Sequence, residues 1–334
     1  MAQSESLFIK SNVKYRLFFA FTPFNLLMVE QLLEGRKFVD SGVIVINTSE
    51  QKYESDFAQV INFSGSQHGL LSRLLEYRRI AHLLNGLLRD DMIHSVTAPH
   101  PHNLLSNALM LGGGSHFVNI YEDGTANYCA SNNVGHLKKQ SLIKFFIAPI
   151  LGFRYQNFVG HITGIDEKLM DNGYFLSPED IYKPERFSNL HAIDMIWLKD
   201  KQSFEYAEIV LVLDQKIEQI FDGNTAKRLR DNMKSYVNTL AVDVHVKPHP
   251  AQLKGYDKNW LGRNVIVYND GAAAELLALE LRPKFVVSFF SSALKNIANI
   301  LPESKCVSFG IAELNVARGI SLGKVFSKCG IDLL

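Results

Sequence analysis

Cysteine is scarce: three in 334 residues, Cys129, Cys306 and Cys329, odd in number and far apart. They spell out no disulfide framework and no cysteine metal or redox pair, so a reducing compartment is expected. Charge of one sign is missing too. Lys and Arg number 35 against 34 Asp and Glu, a formal net charge of +1, and no basic field announces a nucleic-acid partner. The apolar stretch 145–153 is interrupted by Pro149 and is far too short to span a bilayer. The polar start, Met1 to Lys14, lacks the apolar core and small-residue cleavage site of a secretory signal. No Asp-x-Asp pair, Gly-x-Ser-x-Gly elbow or Walker loop occurs, and no histidine spacing suggests a metal site. No internal repeat or low-complexity segment is visible.

What is present is the composition of a folded globular chain: 47% hydrophobic and 21% charged residues, 22 Gly and 10 Pro. At roughly 150 residues per domain, the length favours two domains. Short apolar runs alternate with helical stretches, which predicts α/β layers with mainly parallel sheets. In the first block the strands fall at 15–21, 42–47, 93–98 and 117–121, with helices from Thr22-Pro23, over 70–88 and over 103–111. The section 124–201 has no regular pattern. The rhythm restarts at Glu208, with strands at 209–213, 242–247, 264–268, 285–289 and 306–309 and helices at 225–240, 273–281 and 292–301. Two Rossmann-like domains facing a cleft follow, 1–203 and 204–334, the last helix packing back on the first domain. In such sheets ligands sit beyond the carboxyl ends of the strands, so the informative residues belong at strand-to-helix turns.

Three such turns carry chemistry. Glu122-Asp123-Gly124 closes the strand 117–121, and paired carboxylates at a strand end suit general-base work because like charges and burial raise one pKa; an acidic surface turn is the plainer alternative. Lys247-Pro248-His249-Pro250 closes another strand, with His249 held between two prolines and placed to donate to a phosphate, Lys247 adding charge; a surface turn histidine is again the plainer alternative. Ser291-Ser292 opens a helix, where serines either cap or, with the free N–H groups, bind an anion. The loop from Pro99 to Asn103, with His100 and His102, lines the cleft or simply starts a helix. Lys138, Lys139 and Lys144, interleaved with Leu137, Leu142, Ile143 and Phe146, make either a membrane-surface helix or one packed on its own domain.

Taken in order, an Asp-Gly turn, a His-Pro turn and a late Ser-Ser pair resemble the bacterial sialyltransferases. The nearest likeness is to the lipooligosaccharide sialyltransferases of glycosyltransferase family 52, with the capsule polysialyltransferases as relatives. Thr22-Pro23-Phe24-Asn25 is similar to that family's N-terminal Thr-Pro turn, and Asp214-Gln215 to its strand-end Gln. The likeness spans Thr22 to Ser292 at a few residues per turn, and Glu122 stands where many relatives have Asp. It implies a GT-B fold, CMP-linked sialic acid or a related CMP-sugar as donor, a surface glycan acceptor, inversion, and no metal or other cofactor. Asp123 would take the acceptor proton, His249 would serve the leaving phosphate, and Lys247, Pro250, Ser291, Ser292 and Gln215 would bind CMP. Glu275, in a first helical turn, would either reach the ribose or favour the helix dipole. Thr22, Asn25, Glu122, Gly124 and His102 would line the acceptor side. The implied setting is the bacterial cytoplasm, with contact to the inner face of an anionic membrane and with a second copy of the chain. CDP-glycerol-type polymer phosphotransferases and non-catalytic nucleotide-sugar binders share parts of the pattern.

Overall fold

The computed structural model describes residues 13–35, 41–49, 51–63, 70–112, 114–130, 134–158, 160–193, 205–249, 256–257, 259–262 and 264–334, with backbone alone at 70–73 and 134–140. The chain forms two compact units. Unit 1 is Met1–Asp123 with Ser131–Asp194, and unit 2 is Gly124–Ala130 with Met195–Leu334.

Unit 1 is built on β1 (Tyr15–Ala20), β2 (Gly42–Asn47), β3 (Gln59–Asn62), β4 (Ile93–Ala98), β5 (Phe117–Tyr121), β6 (Met170–Phe175) and β7 (Phe187–Ala192). All pair in parallel, in the order β3-β2-β1-β4-β5-β6-β7. Runs such as Tyr-Arg-Leu-Phe-Phe-Ala and Gly-Val-Ile-Val-Ile-Asn suit strands covered on both faces. Leu17, Phe19, Ile44, Ile46, Val96 and Ile120 are accordingly inaccessible. Its helices are α1 (Pro23–Glu34), α2 (Leu70–Arg89), α3 (Leu104–Leu111) and α4 (Val134–Ile147). The order of strands reverses between β1 and β4, so that is where a doubly wound sheet opens its crevice.

Unit 2 repeats the scheme with β8 (Ala207–Leu213), β9 (Asp243–Lys247), β10 (Ile266–Val267), β11 (Pro283–Ser288), β12 (Lys305–Ser308) and β13 (Asp332–Leu333). The order β10-β9-β8-β11-β12-β13 is again fully parallel and reverses between β8 and β11. The helices are α5 (Gly223–Thr239), α6 (Ala274–Leu281), α7 (Ser292–Ile300) and α8 (Val316–Lys328). Helix α5 starts two residues before the predicted position because Asp222 caps it, accepting from the amides of Asn224 and Thr225. It buries Ala226, Leu229, Met233 and Val237, the three-four stripe of an amphipathic helix.

One expectation is revised. The segment Gly124–Ala130, assigned from sequence to the first domain, packs within unit 2. Gly124 lies against Ser292, and the Tyr128 hydroxyl accepts from Lys295 Nζ at 2.5 Å, with that ammonium 3.8 Å from the ring centroid. The last helix, α8, packs on β13 and on the 3-10 turn Thr125–Tyr128, both in unit 2.

Candidate active site

At the crevice of unit 1, three loops converge. The turn after β1 starts α1 with Pro23, and Thr22 caps it: Thr22 Oγ1 accepts from the Asn25 amide while Asn25 Oδ1 accepts from the Thr22 amide. Asn25 Oδ1 also takes the Phe21 amide, so this fully buried side chain is locked. Its remaining group, Nδ2, donates to Asp123 Oδ1 at 3.1 Å. The loop after β4 brings His100 Nε2 to 3.6 Å from Asp123 Oδ2. Asp123 itself follows β5. Its side chain is 21% exposed, and its pKa is pushed up to about 6, by burial first and by the neighbouring Glu122 charge to a lesser degree, against the lowering effect of Asn25. The paired-carboxylate argument from sequence thus contributes, while desolvation dominates.

Glu122 is different from its neighbour. It is completely buried and accepts the Leu176 amide at 2.7 Å, so it ties the end of β5 to the end of β6 and lines no open surface. Thr22 is committed to its cap. His102 is half-buried; its carbonyl accepts from Lys144 Nζ at 2.6 Å. Burial holds Lys144 at about 8.

The crevice of unit 2 is lined by the loops after β8 and β11. Gln215 Oε1 accepts the Phe290 amide at 3.0 Å, bridging those loops directly beside the serines. Asp214 is buried and its pKa is raised by that burial, opposed by Arg230, which pairs with it at 3.0 Å and with Glu218 at 2.5 Å. Ser291 is the N-cap of α7, its Oγ accepting the Ala293 amide, and Ser292 is the first helical residue. Gly124 sits over this helix start with φ +108° and ψ −152°, a conformation suited to glycine, and a Cβ there would lie 2.7 Å from Ser292 Oγ.

His249 is exposed beyond β9, with its amide on the Asp214 carbonyl at 3.1 Å. Partial desolvation lowers its pKa, and Asp214 works in the opposite direction. Lys247 is buried, and its ammonium is engaged by the carboxylate and carbonyl of Asp270, so its charge serves that loop. Glu275, also buried, accepts from Asn296 Nδ2 at 2.8 Å, joining α6 to α7. Pro250 lies outside the described residues. Among the described residues, no group of three or more His, Cys, Asp or Glu comes together as a metal would require.

The residues missed from sequence are second partners. Asn296 and Lys295 are fixed by Glu275 and Tyr128, 21 and 167 residues away, and Arg230 by Glu218 and Asp214, 12 and 16 residues away. His100, read from sequence only as part of a loop beyond a strand end, stands beside Asp123.

Two doubly wound parallel sheets, each with polar groups gathered where its strand order reverses, make this a GT-B glycosyltransferase fold. Among solved structures, an α/β-galactoside α-2,3-sialyltransferase from the luminous marine bacterium Photobacterium phosphoreum matches with a TM-score of 0.53 at 12% identity, covering 96% of this chain and 98% of that one. Os79 from O. sativa in complex with UDP matches with a TM-score of 0.51 at 11% identity, over 94% of this chain and 84% of that one. No curated protein sequence gives a match. The family model for alpha-2,8-polysialyltransferase (POLYST) matches residues 16–309, and the chain belongs to that family. It is a sialyltransferase.

Proposed function

We propose that the protein transfers sialic acid, or a related nonulosonic acid, from its CMP-linked donor to a hydroxyl of a bacterial surface glycan such as lipooligosaccharide or capsule. Transfer proceeds with inversion and without a metal. The family's description points to the 8-hydroxyl of a terminal sialic acid as acceptor. The observation that carries the reading is Asp123: a part-exposed carboxylate at a strand end, clamped by Asn25 and titrating near neutrality, at about 6. A base with that pKa is ionised at pH 7 yet basic enough to remove a hydroxyl proton as the bond to the anomeric carbon forms. On the donor side, electrons pass to the departing CMP phosphate. Ser291, Ser292 and the amides at the start of α7 offer fixed donors where that charge grows, worth several kcal/mol in such sites. His249, neutral at pH 7, contributes an N–H donor, and an approaching phosphate would favour its protonated form.

Thermal-shift titration with CMP, CDP, UDP and GDP tests the donor, because a ligand confined to the folded state raises the melting temperature with its concentration. CMP should act and UDP should not. Stabilisation by CDP or UDP with none by CMP would sink the reading, as would loss of turnover on EDTA treatment restored by Mg²⁺.

The same reading includes peripheral contact with an anionic membrane. No helix among the described residues is long and apolar enough to cross one. The carboxyl end of α4 and the turn after it expose Leu142, Ile143, Phe146 and Ile150, the last at 75%. No Asp or Glu occurs between Asp123 and Asp166, where Lys138, Lys139, Lys144 and Arg154 fall. Lys144 Nζ is turned toward His102, whose carbonyl it meets at 2.6 Å. Sedimentation with anionic vesicles at low salt should capture the protein and release Phe146→Asp. Self-association through this face would appear instead as a dimer in light scattering.

A further inference from the structure

The two carboxylate oxygens of Asp123 have different neighbours. Asn25 Nδ2 donates to Oδ1 at 3.1 Å, and His100 Nε2 stands 3.6 Å from Oδ2. The His100 ring is itself fixed. Its Nδ1 accepts the His102 amide at 3.1 Å, its carbonyl takes Ser106 Oγ at 2.9 Å, and Phe21 lies against it with centroids 4.9 Å apart.

Acceptance at Nδ1 decides the tautomer: the lone pair is there, so the proton is on Nε2, facing Asp123. Burial and the nearby Lys144 charge hold the His100 pKa down to about 4, so the ring is a neutral donor at pH 7. Neutrality matters, because an imidazolium at this distance would pull the Asp123 pKa down and weaken the base. The alternative, a dyad in which His100 is the base and Asp123 orients it, fails on geometry. The ring's one lone pair, on Nδ1, is taken by a backbone amide, and Nε2 carries the proton and faces the carboxylate, so no lone pair is available to an acceptor hydroxyl. The separation is longer than a formed hydrogen bond, as is common before substrate binds.

We infer that His100 is a positioning residue that donates Nε2–H to Asp123 Oδ2, so that with Asn25 the plane of the general-base carboxylate is fixed. It keeps its own proton throughout; the acceptor proton goes to Asp123. The inference rests on Asp123 being the base.

The test compares His100→Ala, His100→Gln and Asp123→Asn in the full chain, each first shown to be folded by its melting curve. Gln places an amide N–H about where Nε2–H stands. In His100→Ala, kcat should fall roughly tenfold to a hundredfold, as for a lost donor to a charged group, while KM for the CMP-donor stays. The acid limb of its kcat profile should move to higher pH, since the carboxylate loses a stabilising donor while Glu122, Tyr121 and Lys144 still face the pair. His100→Gln should recover most of kcat with the limb near its original pH, and it alone decides the matter should the alanine variant not fold. An unmoved limb in folded His100→Ala, or a glutamine variant as inactive as Asp123→Asn, would overturn the inference. Near-normal turnover in Asp123→Asn would remove the base itself, and the role of His100 with it.

Discussion

Replacing Gly124 with alanine should cost unit 2 far more stability than a single methyl group suggests. Two separate effects add. At φ +108° and ψ −152° a residue with a Cβ is strained, by about 1–3 kcal/mol in such regions. The new Cβ would also lie 2.7 Å from Ser292 Oγ and 2.9 Å from its Cβ, and forcing atoms into a filled site costs about 1–3 kcal/mol more. The expected loss is therefore about 2–6 kcal/mol. Trp260 belongs to unit 2, so urea unfolding followed by tryptophan fluorescence reports the right part of the chain. The midpoint should fall with little change in slope. Adding Ser292→Gly to Gly124→Ala should restore the packing share alone and leave the backbone share. Because relief of the clash displaces Ser292, CMP affinity should weaken in the single variant. A midpoint equal to that of the parent would refute the account of this turn.

Asp123→Asn should lower turnover by roughly 10²-fold or more, as for a lost general base, with CMP affinity retained, and the parent's kcat should fall on the acid side near pH 6, where the base is protonated. Burial raises this group's folded pKa, so its contribution to stability is full below about pH 4 and declines as pH rises through about 6. The asparagine variant should accordingly be more stable than the parent at pH 8, by up to about 3 kcal/mol, and no more stable at pH 4 by circular dichroism. His249→Ala should reduce both turnover and CMP affinity in calorimetry, since it removes a donor to the phosphate; unchanged CMP affinity would detach it from the donor site. Ser291→Ala should cost about 1 kcal/mol as a lost helix cap, whereas Ser292→Ala should cost less stability and still weaken CMP binding.

Much of this was legible in the residues. The strands β1, β2, β4, β5, β8, β9 and β11 are short, apolar and bounded by turn residues, and they lie within a residue or two of the positions read from sequence. What failed is equally specific. Strand β6 reads Met-Asp-Asn-Gly-Tyr-Phe, polar in its first half because Asp171 Oδ2 takes the Val118 amide and Asn172 pairs with Asn119. Strand β7 carries Ser188, Asn189 and His191 at the sheet edge, where one side is wet. Neither shows the apolar run expected of a parallel strand. At the site, Asp123 and the serines stood out because strand ends are where such sheets bind ligands. The different fates of Glu122 and Lys247 depend on Leu176 and Asp270, 54 and 23 residues away, and no local pattern reports a partner at that distance.

The passage of Gly124–Ala130 through unit 2 has a practical consequence for anyone dividing this protein. A fragment cut at the apparent boundary, beginning near Met195, would carry all of the second sheet yet leave behind the seven residues that roof α7. Lys295, 1% exposed in the whole chain, would lose the phenol on which its ammonium rests, and the groove vacated by Tyr128 would open to water. Such a fragment should be poorly soluble until a peptide spanning 124–130 is supplied in trans or grafted ahead of the sheet. Unit 2 is thus discontinuous in the sequence, and its smaller piece is the stretch that follows Asp123.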